Sequence, residues 1–586
     1  MMPAGTETGG TPFSLAEFPH ADGPLDAFDD PYIREIVLQW GTRLGKTTLC
    51  LSLIGKVAAT NPRNMMFAGP TQGAAVRVVE GRLYPILCST RGARELLLPE
   101  HRRSVLHVKF PLCRVYVGWS GSDSSLADVG AYFGIANEID KWDSSSSNEA
   151  DPLKLFDNRF KGFTDRKIIY ESTPTIKGRS RIEKKLLESK RCRRYCPCPH
   201  CGEFQILKKG TPGLPGGFRW DHDSKGGSNA QIAKETAWYE CEKCLMKVEN
   251  QHRTALLRLG VWVPDGCTIR TDGAIAGEPI NPRSEKAGFG PLPSWYAVSQ
   301  TWGDFAEQWI NAQGNPKLLQ DVVNSYMAET WEIKRTKSEP EAIGERLSGN
   351  VPRSFVPNGV EFLTVTVDRQ EANGGFCPWV VMGHGADGRA WVIDRGSSVE
   401  LALIWEKVIR QQFCFEDGTE SPAIAEISGV DSGWDAKNTY EFCNEHDEHV
   451  ISLKGSSSDL GGRPYDLKVL NEGKPNQQKL LFVNTDLWET DLHNRLEKFF
   501  HDEPGSLTLF KEAKFDVGFL AQLCNGMLDD KVDRRGNPKL SWVKKEESQP
   551  NDFRDCVRYG LCLAEYWRDK KAAKPIRKKF KMPGVA

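Results

Sequence analysis

Lys46 follows a glycine and precedes two threonines, at the junction of a short apolar run and a segment of helical character. The stretch reads Trp40-Gly-Thr-Arg-Leu-Gly-Lys46-Thr47-Thr48. Glycines let backbone N–H groups turn toward an anion, and the start of a helix adds its positive end. In such a loop Lys46 would neutralise the β- and γ-phosphates of ATP and Thr47 would hold Mg2+. Gly41, Arg43, Gly45 and Thr48 complete the cradle. The usual spacing has its first glycine at position 40, where this chain has Trp40, so the pattern is incomplete. Further on, Tyr132-Phe-Gly-Ile-Ala-Asn137-Glu138-Ile-Asp140 ends an apolar run in acids. Glu138 is the natural group to orient an attacking water in phosphoryl transfer. Asn137 stands where an aspartate normally supports Mg2+; its amide oxygen accepts hydrogen bonds but carries no charge. A solvated strand end is the plainer reading of Glu138 and Asp140, and their spacing from the loop favours catalysis.

A second group is made of thiols. Of 16 cysteines, Cys192, Cys196, Cys198, Cys201, Cys241 and Cys244 fall in one region. Cys198-x-x-Cys201 and Cys241-x-x-Cys244 form two knuckles separated by 39 residues. Paired spacing of this kind argues for a metal rather than disulfides, and four thiolates suit a closed, structural Zn2+ site. The glycine-rich stretch between the knuckles is expected to project. Cys196 and His200 are spare ligands.

A third group is made of carboxylates. Asp368 closes the alternating run Leu363-Thr-Val-Thr-Val-Asp, Asp431 closes Ile427-Ser-Gly-Val-Asp, and Asp555 lies in the helix-like Asn551-Asp-Phe-Arg-Asp-Cys-Val-Arg. Carboxylates brought together from distant strands can hold two hard cations, Mg2+ or Mn2+, for phosphodiester hydrolysis. Among 78 acidic residues any one is more simply a solvated side chain; the order and strand-end placement of the three carry the joint reading. Glu426, Asp516 and Asp529 compete for a fourth place. Lys454 is a candidate phosphate contact, although an ordinary surface lysine is the plainer reading.

These residues need elements to position them. Apolar runs at Ile36–Leu38, Met65–Ala68, Val105–Val117, Tyr132–Ala136 and Lys167–Tyr170 read as strands, and Thr47–Val57 reads as a helix. Strands alternating with helices predict an α/β domain with a mainly parallel sheet over 31–333, interrupted by the cysteine module at about 190–250. Residues 1–30 read as an irregular arm. The polar, proline-containing segment 334–357 reads as a linker, and a second α/β pattern runs over 358–567. The tail, 568–586, carries Lys570, Lys571, Lys574, Arg577, Lys578, Lys579 and Lys581. It reads as a solvated tail or as a DNA- or partner-binding one. Net charge is −1, which does not mark a nucleic-acid binder, because such binding needs only a basic face. No apolar stretch approaches the roughly 20 residues of a membrane span.

Taken in order, these segments resemble the large terminase subunits of lambda-like (GpA) tailed bacteriophages. Pro31-Tyr-Ile-Arg-Glu-Ile, the deviant phosphate loop and Asn-Glu-Ile-Asp resemble that family's ATPase half. Glu171-Ser-Thr-Pro-Thr-Ile-Lys-Gly-Arg-Ser-Arg-Ile-Glu183 is similar to its segment coupling hydrolysis to motion. Arg194-Tyr-Cys-Pro-Cys-Pro-His-Cys-Gly-Glu-Phe-Gln205 resembles its cysteine motif. Ser299-Gln-Thr-Trp302, Asn315–Asn324 and Glu329-Thr-Trp-Glu332 look like the end of the ATPase region, and the three aspartates match acids of the nuclease motifs. The resemblance covers about 30–567. It implies a P-loop ATPase domain with an inserted four-cysteine zinc module, then a ribonuclease-H-like nuclease. It also places Ser172 and Thr173 at the nucleotide. The implied partners are double-stranded DNA, a small terminase subunit, the portal protein of a procapsid and further copies of the chain, in the host cytoplasm and without a membrane. Loops of this family also lack the first glycine, so Trp40 is in keeping; Asn137 departs from the family's aspartate. Two other readings compete: a helicase or repair ATPase with a zinc module, and a non-catalytic zinc-containing DNA-binding assembly protein.

Overall fold

The computed structural model describes residues 13–127, 129–142, 151–211, 213–223, 227–313, 315–332, 339–370, 376–418, 422–456, 460–474, 477–498, 501–532 and 538–572. The chain divides into two compact units. One comprises Met1–Trp220, Lys234–Ala306 and Gln320–Glu332, the other Asp221–Ala233, Glu307–Leu319 and Ile333–Ala586.

The first unit is built on a ten-stranded sheet. Nine strands run in the spatial order Val261–Pro264, Lys190–Pro197, Lys286–Leu292, Glu35–Trp40, Lys167–Ser172, Phe133–Asn137, Met65–Gly69, Arg114–Trp119, His107–Lys109, with Phe204–Gln205 added beside Lys190–Pro197. The two edge strands pair antiparallel and the seven between them run parallel. Central strands such as Met65–Gly69, Phe133–Asn137 and Lys167–Ser172 are buried at every position, as expected where helices cover both faces of a parallel sheet. Ligands of such sheets bind at the carboxyl ends of the strands. Here the ends of Glu35–Trp40, Lys167–Ser172 and Phe133–Asn137 are neighbours.

In this unit four expectations change. The first 30 residues are not uniformly irregular: Pro19–Ala21 forms a 3-10 turn and Asp22–Asp29 a helix, while 1–12 lie outside the described residues. Arg194, itself buried, anchors this segment by donating to Asp22 Oδ1 and to the carbonyl of Pro19, both at 2.9 Å. Val105–Val117 is a hairpin, His107–Lys109 with Arg114–Trp119, rather than one strand. Lys190–Pro197 and Val261–Pro264 belong to the large sheet, so the cysteine module begins only after the first of them. Its intervening stretch does not simply project: Gly217–Arg219 pairs with Trp238–Glu240, and Phe218 is buried among Tyr239, Trp295, Trp302 and Phe305.

The second unit holds an eight-stranded mixed sheet. Its order is Tyr465–Leu470, Gln478–Asn484, Val450–Ser456, Ala425–Asp431, Phe362–Val367, Cys377–His384, Ala390–Ser398, Leu507–Leu509. The long helix Asp552–Ala572 lies against it. Thr366 donates to the Cys556 carbonyl at 2.8 Å. A Cβ at Gly560 would come within 2.5 Å of Met382 Sδ, so glycine sets how closely helix and sheet approach. The helix continues past 567, where the tail was expected to begin; Lys574 to Lys581 lie outside the described residues. The segment read as a linker contains the helix Pro340–Leu347, whose Ile343 and Leu347 are buried in this unit's core. Residues 333–338 are outside the described residues.

Candidate active sites and metal centre

The phosphate loop spans Gly41–Gly45, between the strand Glu35–Trp40 and the helix Lys46–Thr60. Arg43 (φ 64°) and Gly45 (φ 72°) take left-handed conformations, which curl the chain before the helix begins. A Cβ at Gly41 would lie 2.6 Å from Ser294 Oγ and 2.8 Å from the Tyr326 carbonyl, so the close approach falls at 41. Trp40 is a core residue, fully buried. It donates to the Phe289 carbonyl at 3.0 Å and stacks near Trp262. The missing first glycine is therefore a packing position. Surrounding groups fix the loop: Ser294 donates to the Thr42 carbonyl at 2.9 Å, Arg43 to Gln300 at 3.2 Å, and the His20 ring bonds the Leu44 carbonyl at 2.8 Å.

Three acids meet this loop or stand beside it. Lys46 is buried, with its Nζ 3.4 Å from Glu138 Oε1 and 4.0 Å from Glu171 Oε2. Burial alone would lower its proton affinity; Glu138 and Glu171 outweigh that and hold it above the usual lysine range. Glu138 has a left-handed backbone (φ 54°, ψ 52°), an uncommon state for a glutamate and one found at functional sites. Burial pushes its carboxyl up, but Lys46 and Lys141, the latter 3.3 Å away, bring it below the ordinary value. Asp140 plays another part. Its two oxygens accept from Thr175 Oγ1 at 2.8 Å and the Ile182 N–H at 2.7 Å, tying the 172–183 segment to the acid strand. Ser172 and Thr173 are buried; Ser172 Oγ accepts from the Asp140 N–H and donates to the Thr173 carbonyl.

Glu171 was not singled out in the sequence. It is fully buried, accepts from Thr47 Oγ1 at 2.8 Å and from the Asn137 amide, and burial raises its pKa to about 7 against the lowering effect of Lys46. It opens the 171–183 segment but was given no role of its own, because that role comes from which strand lies beside which.

In the second unit Asp368 follows Phe362–Val367 and Asp431 ends Ala425–Asp431. The two strands pair in parallel, Val367 opposite Val430, so the acids leave the sheet side by side. Asp555 approaches from the helix Asp552–Ala572. Burial, then the charges of Asp555 and Asp431, raise Asp368 well above the carboxylate range. Asp555 is pushed up to about 6 by burial, against the pull of Arg558. Each acid has its own tether. Gln370 donates to Asp368 at 2.5 Å, Tyr559 to Asp431 at 2.9 Å and the Gly433 N–H to Asp431 at 2.8 Å; Arg558 pairs with Asp555 at 2.7 Å. Buried Glu489 draws Arg558 and Arg554 together, at 2.7 Å from each. The competitors are engaged elsewhere: Glu426 is 3.7 Å from Lys571, Asp516 pairs with Arg395 and caps the helix Val517–Leu523, and Asp529 is exposed on a hairpin. Asp552, one helical turn before Asp555, is the overlooked acid. Its charge adds to the field at Asp368. Exposed Lys454 follows Leu453, the register partner of Asp431, and its charge reaches that acid.

The cysteines close more tightly than the aspartates. Among the described residues, Cys198, Cys201, Cys241 and Cys244 are the group of three or more metal-binding side chains whose ligand atoms lie within 4.8 Å of one another. Cys198 Sγ and Cys244 Sγ are 3.8 Å apart, Cys201 Sγ and Cys241 Sγ 3.9 Å. Tetrahedral coordination at a Zn–S distance of about 2.3 Å requires sulfurs about 3.8 Å apart, so the set fits. Both knuckles turn alike, the Gly202 N–H bonding the Cys198 carbonyl and the Leu245 N–H the Cys241 carbonyl. Both turn residues have left-handed φ. Without a cation the thiols divide. Burial pushes Cys198 up to about 12. Burial acts on Cys241 in the same sense, but the backbone N–H groups of Cys244 and Lys243 outweigh it and bring that thiol to about 7. Cys196 is buried outside the cluster, and the His200 ring bonds the Lys247 carbonyl. Neither belongs to the cluster.

Two family models match the chain: "Phage terminase large subunit gpA, ATPase domain" over residues 8–262 and "Terminase large subunit gpA, endonuclease domain" over 286–572. The chain is 26% identical to the terminase large subunit of Escherichia phage lambda, over 92% of this chain and 84% of that one. It is 27% identical to the terminase large subunit of Enterobacteria phage P21, over 94% and 86%. The crystal structure of the HK97 bacteriophage large terminase is also similar, at 10% identity, covering 95% of this chain and 96% of that one with a TM-score of 0.30. The endonuclease match of the second half displaces both the helicase reading and the non-catalytic one. With its ATPase and endonuclease domains in that order, the chain belongs to the lambda-like gpA family of phage terminase large subunits.

Proposed function

We propose that the Gly41–Thr48 loop binds the phosphates of ATP, with Lys46 as the neutralising cation, Thr47 as the Mg2+ ligand and Glu138 as the group that orients the attacking water. The observation that carries this is the pairing of buried Lys46 with half-buried Glu138 at the carboxyl ends of the central strands. Lys46 is within reach of both acids, so arriving phosphates exchange its partner rather than desolvate it afresh. Gly41, Arg43, Gly45 and Thr48 shape the loop, Asn137 supports the acid strand, and Ser172 with Thr173 faces the nucleotide.

Asp368, Asp431 and Asp555 are proposed to bind Mg2+ or Mn2+ and to cut DNA. The donor set fits: Asp368 and Asp431 are buried and Asp555 is half-buried, and the charges of Asp555 and Asp431 add to burial in raising the proton affinity of Asp368, as expected of carboxylates that await a cation. Bound there, two such ions would activate the attacking water and stabilise the departing oxygen. The chain's own groups do the positioning, through Tyr559 and Gln370 on the acids and Lys454 beside them. Cys198, Cys201, Cys241 and Cys244 hold one structural Zn2+ in this reading. The substrate is double-stranded DNA, moved by ATP hydrolysis into a procapsid and cut from concatemers. Partners are a small terminase subunit, the portal protein and further copies of the chain, in the host cytoplasm. No helix among the described residues is long and apolar enough to cross a membrane.

Plasmid cleavage by Asp368→Ala, Asp431→Ala and Asp555→Ala across Mg2+ and Mn2+ titrations tests the nuclease assignment. Each variant should cut on the order of 100-fold more slowly than the parent. A variant that cuts like the parent at every metal concentration removes its residue from the site, and Asp552 takes its place. Metal analysis should give one zinc per chain, lost in Cys241→Ser together with thermal stability. Four freely titratable thiols and no zinc would reject that centre.

A further inference from the structure

Phosphoryl transfer on a P-loop ordinarily uses a strand-end aspartate together with the loop Ser or Thr to hold Mg2+. At that strand end this chain has the neutral Asn137. The adjacent strand carries a carboxylate instead. Glu171 is the direct register partner of Asn137 on one side and of Leu38 on the other, which places it between the acid strand and the strand feeding the phosphate loop. It is fully buried. Its Oε1 accepts from Thr47 Oγ1 at 2.8 Å and from the Asn137 amide. Its Oε2 has no hydrogen-bond partner and lies 4.0 Å from Lys46 Nζ. A buried carboxylate oxygen left without a hydrogen bond is costly, and native structures keep such groups where function uses them.

We propose that Glu171 is the acidic positioning residue of the nucleotide site. It holds Thr47 in place for the Mg2+ that accompanies ATP, and Asn137 holds Glu171 by donating its amide. Relative to the ordinary arrangement the acid stands one strand over, and a neutral amide occupies the strand end that usually carries it. An aspartate at 137 would set two buried carboxylates against each other, so the amide at 137 and the acid at 171 require one another. This rests on the reading of Lys46 and Thr47 as the nucleotide site.

The test is equilibrium titration of the full chain with methylanthraniloyl-ATP in Mg2+ and in EDTA, with thermal midpoints recorded under both conditions. Glu171→Gln should bind in EDTA as the parent does and lose about tenfold or more of the tightening that Mg2+ confers, as expected for one charged contact. Asn137→Asp should lower the midpoint in EDTA, and Mg2+ should restore it. The double variant Asn137→Asp/Glu171→Gln should recover the Mg2+ dependence. Lys46→Ala should weaken binding in both conditions. Unchanged Mg2+ dependence in Glu171→Gln, beside lost binding in Lys46→Ala, would overturn the role of Glu171 and leave the nucleotide site standing. Parental binding by Lys46→Ala would instead overturn the nucleotide site itself. If Glu171→Gln does not fold, the double variant decides: a folded double variant without Mg2+ dependence rejects the exchange.

Discussion

In the phosphate-loop pocket the half-buried Glu138 and the fully buried Glu171 face a lysine of the same pocket; in the second unit Asp555 and Asp431 add their negative charge to that of Asp368. The first set carries its counter-charge in the chain. The second has Arg558 beside Asp555, but that arginine is shared with Glu489. The difference teaches how each site relates to its ligands. In the proposed reading the nucleotide pocket is assembled beforehand, and ATP would arrive by exchanging partners of Lys46. The aspartates are tethered individually by Gln370, Tyr559 and Gly433, and in the proposed reading bound cations would relieve the repulsion between them.

The contrast predicts opposite signs for charge removal. Lys46→Met should destabilise the nucleotide-free protein most, by about 3 kcal/mol, because it strands the buried Glu171 and takes one of two lysine partners from the half-buried Glu138. Urea unfolding of parent and variant in EDTA measures it, and equal midpoints would mean that the lysine does not compensate them.

A second effect concerns the anchor of the loop. Burial, reinforced by Arg194 and opposed by the Leu44 carbonyl, lowers the His20 pKa to about 3. The folded value lies below the ordinary 6.5, so the unfolded chain takes up the proton first as pH falls. Stability from neutral His20 is complete above pH 6.5 and drains between 6.5 and about 3. From pH 7.5 to 5.5 the loss is about 1.4 kcal/mol. His20→Asn should be less stable at about pH 7.5 but should lack this share of the slope; identical slopes would place His20 in solvent.

The smallest effect has the reverse sign. Asp431→Asn should stabilise the metal-free protein by about 1 kcal/mol while removing DNA cutting, and the gain should vanish in Mg2+. Loss of stability in EDTA would show that Asp431 serves as a structural acceptor for Tyr559 and not as a member of a repelling set.

The legible parts of both sites were the local ones. Gly45-Lys46-Thr47 between an apolar run and a helix located the loop, because the chemistry of anion binding is written in consecutive residues. Asp368 and Asp431 were legible as strand ends, and the Cys-x-x-Cys pairs through their spacing. Trp40 was only half legible: its departure from the glycine pattern could be seen, but its place in the core depends on Phe289 and Trp262, both more than 200 residues away. Glu171 and Glu489 were not legible, since each acquires its role from a neighbouring element in space. Asp552 could have been found, lying three residues before Asp555 on a helix and so on the same face. The helix within the arm was not legible because the glycines and prolines there look irregular, whereas in the described part, 13–30, Arg194 and the apolar side chains Phe18, Ala21 and Phe28 fix the chain.

The central claim is that one chain carries two separate hydrolytic sites, one for ATP at Lys46 and one for DNA at the aspartates. The most direct measurement assays ATP hydrolysis and plasmid cleavage side by side in full-length Lys46→Ala and Asp431→Asn proteins shown to be folded. Lys46→Ala should lose ATP hydrolysis by on the order of 1000-fold and keep metal-dependent cleavage; Asp431→Asn should do the reverse. Equal loss of both activities in either folded variant would contradict the account.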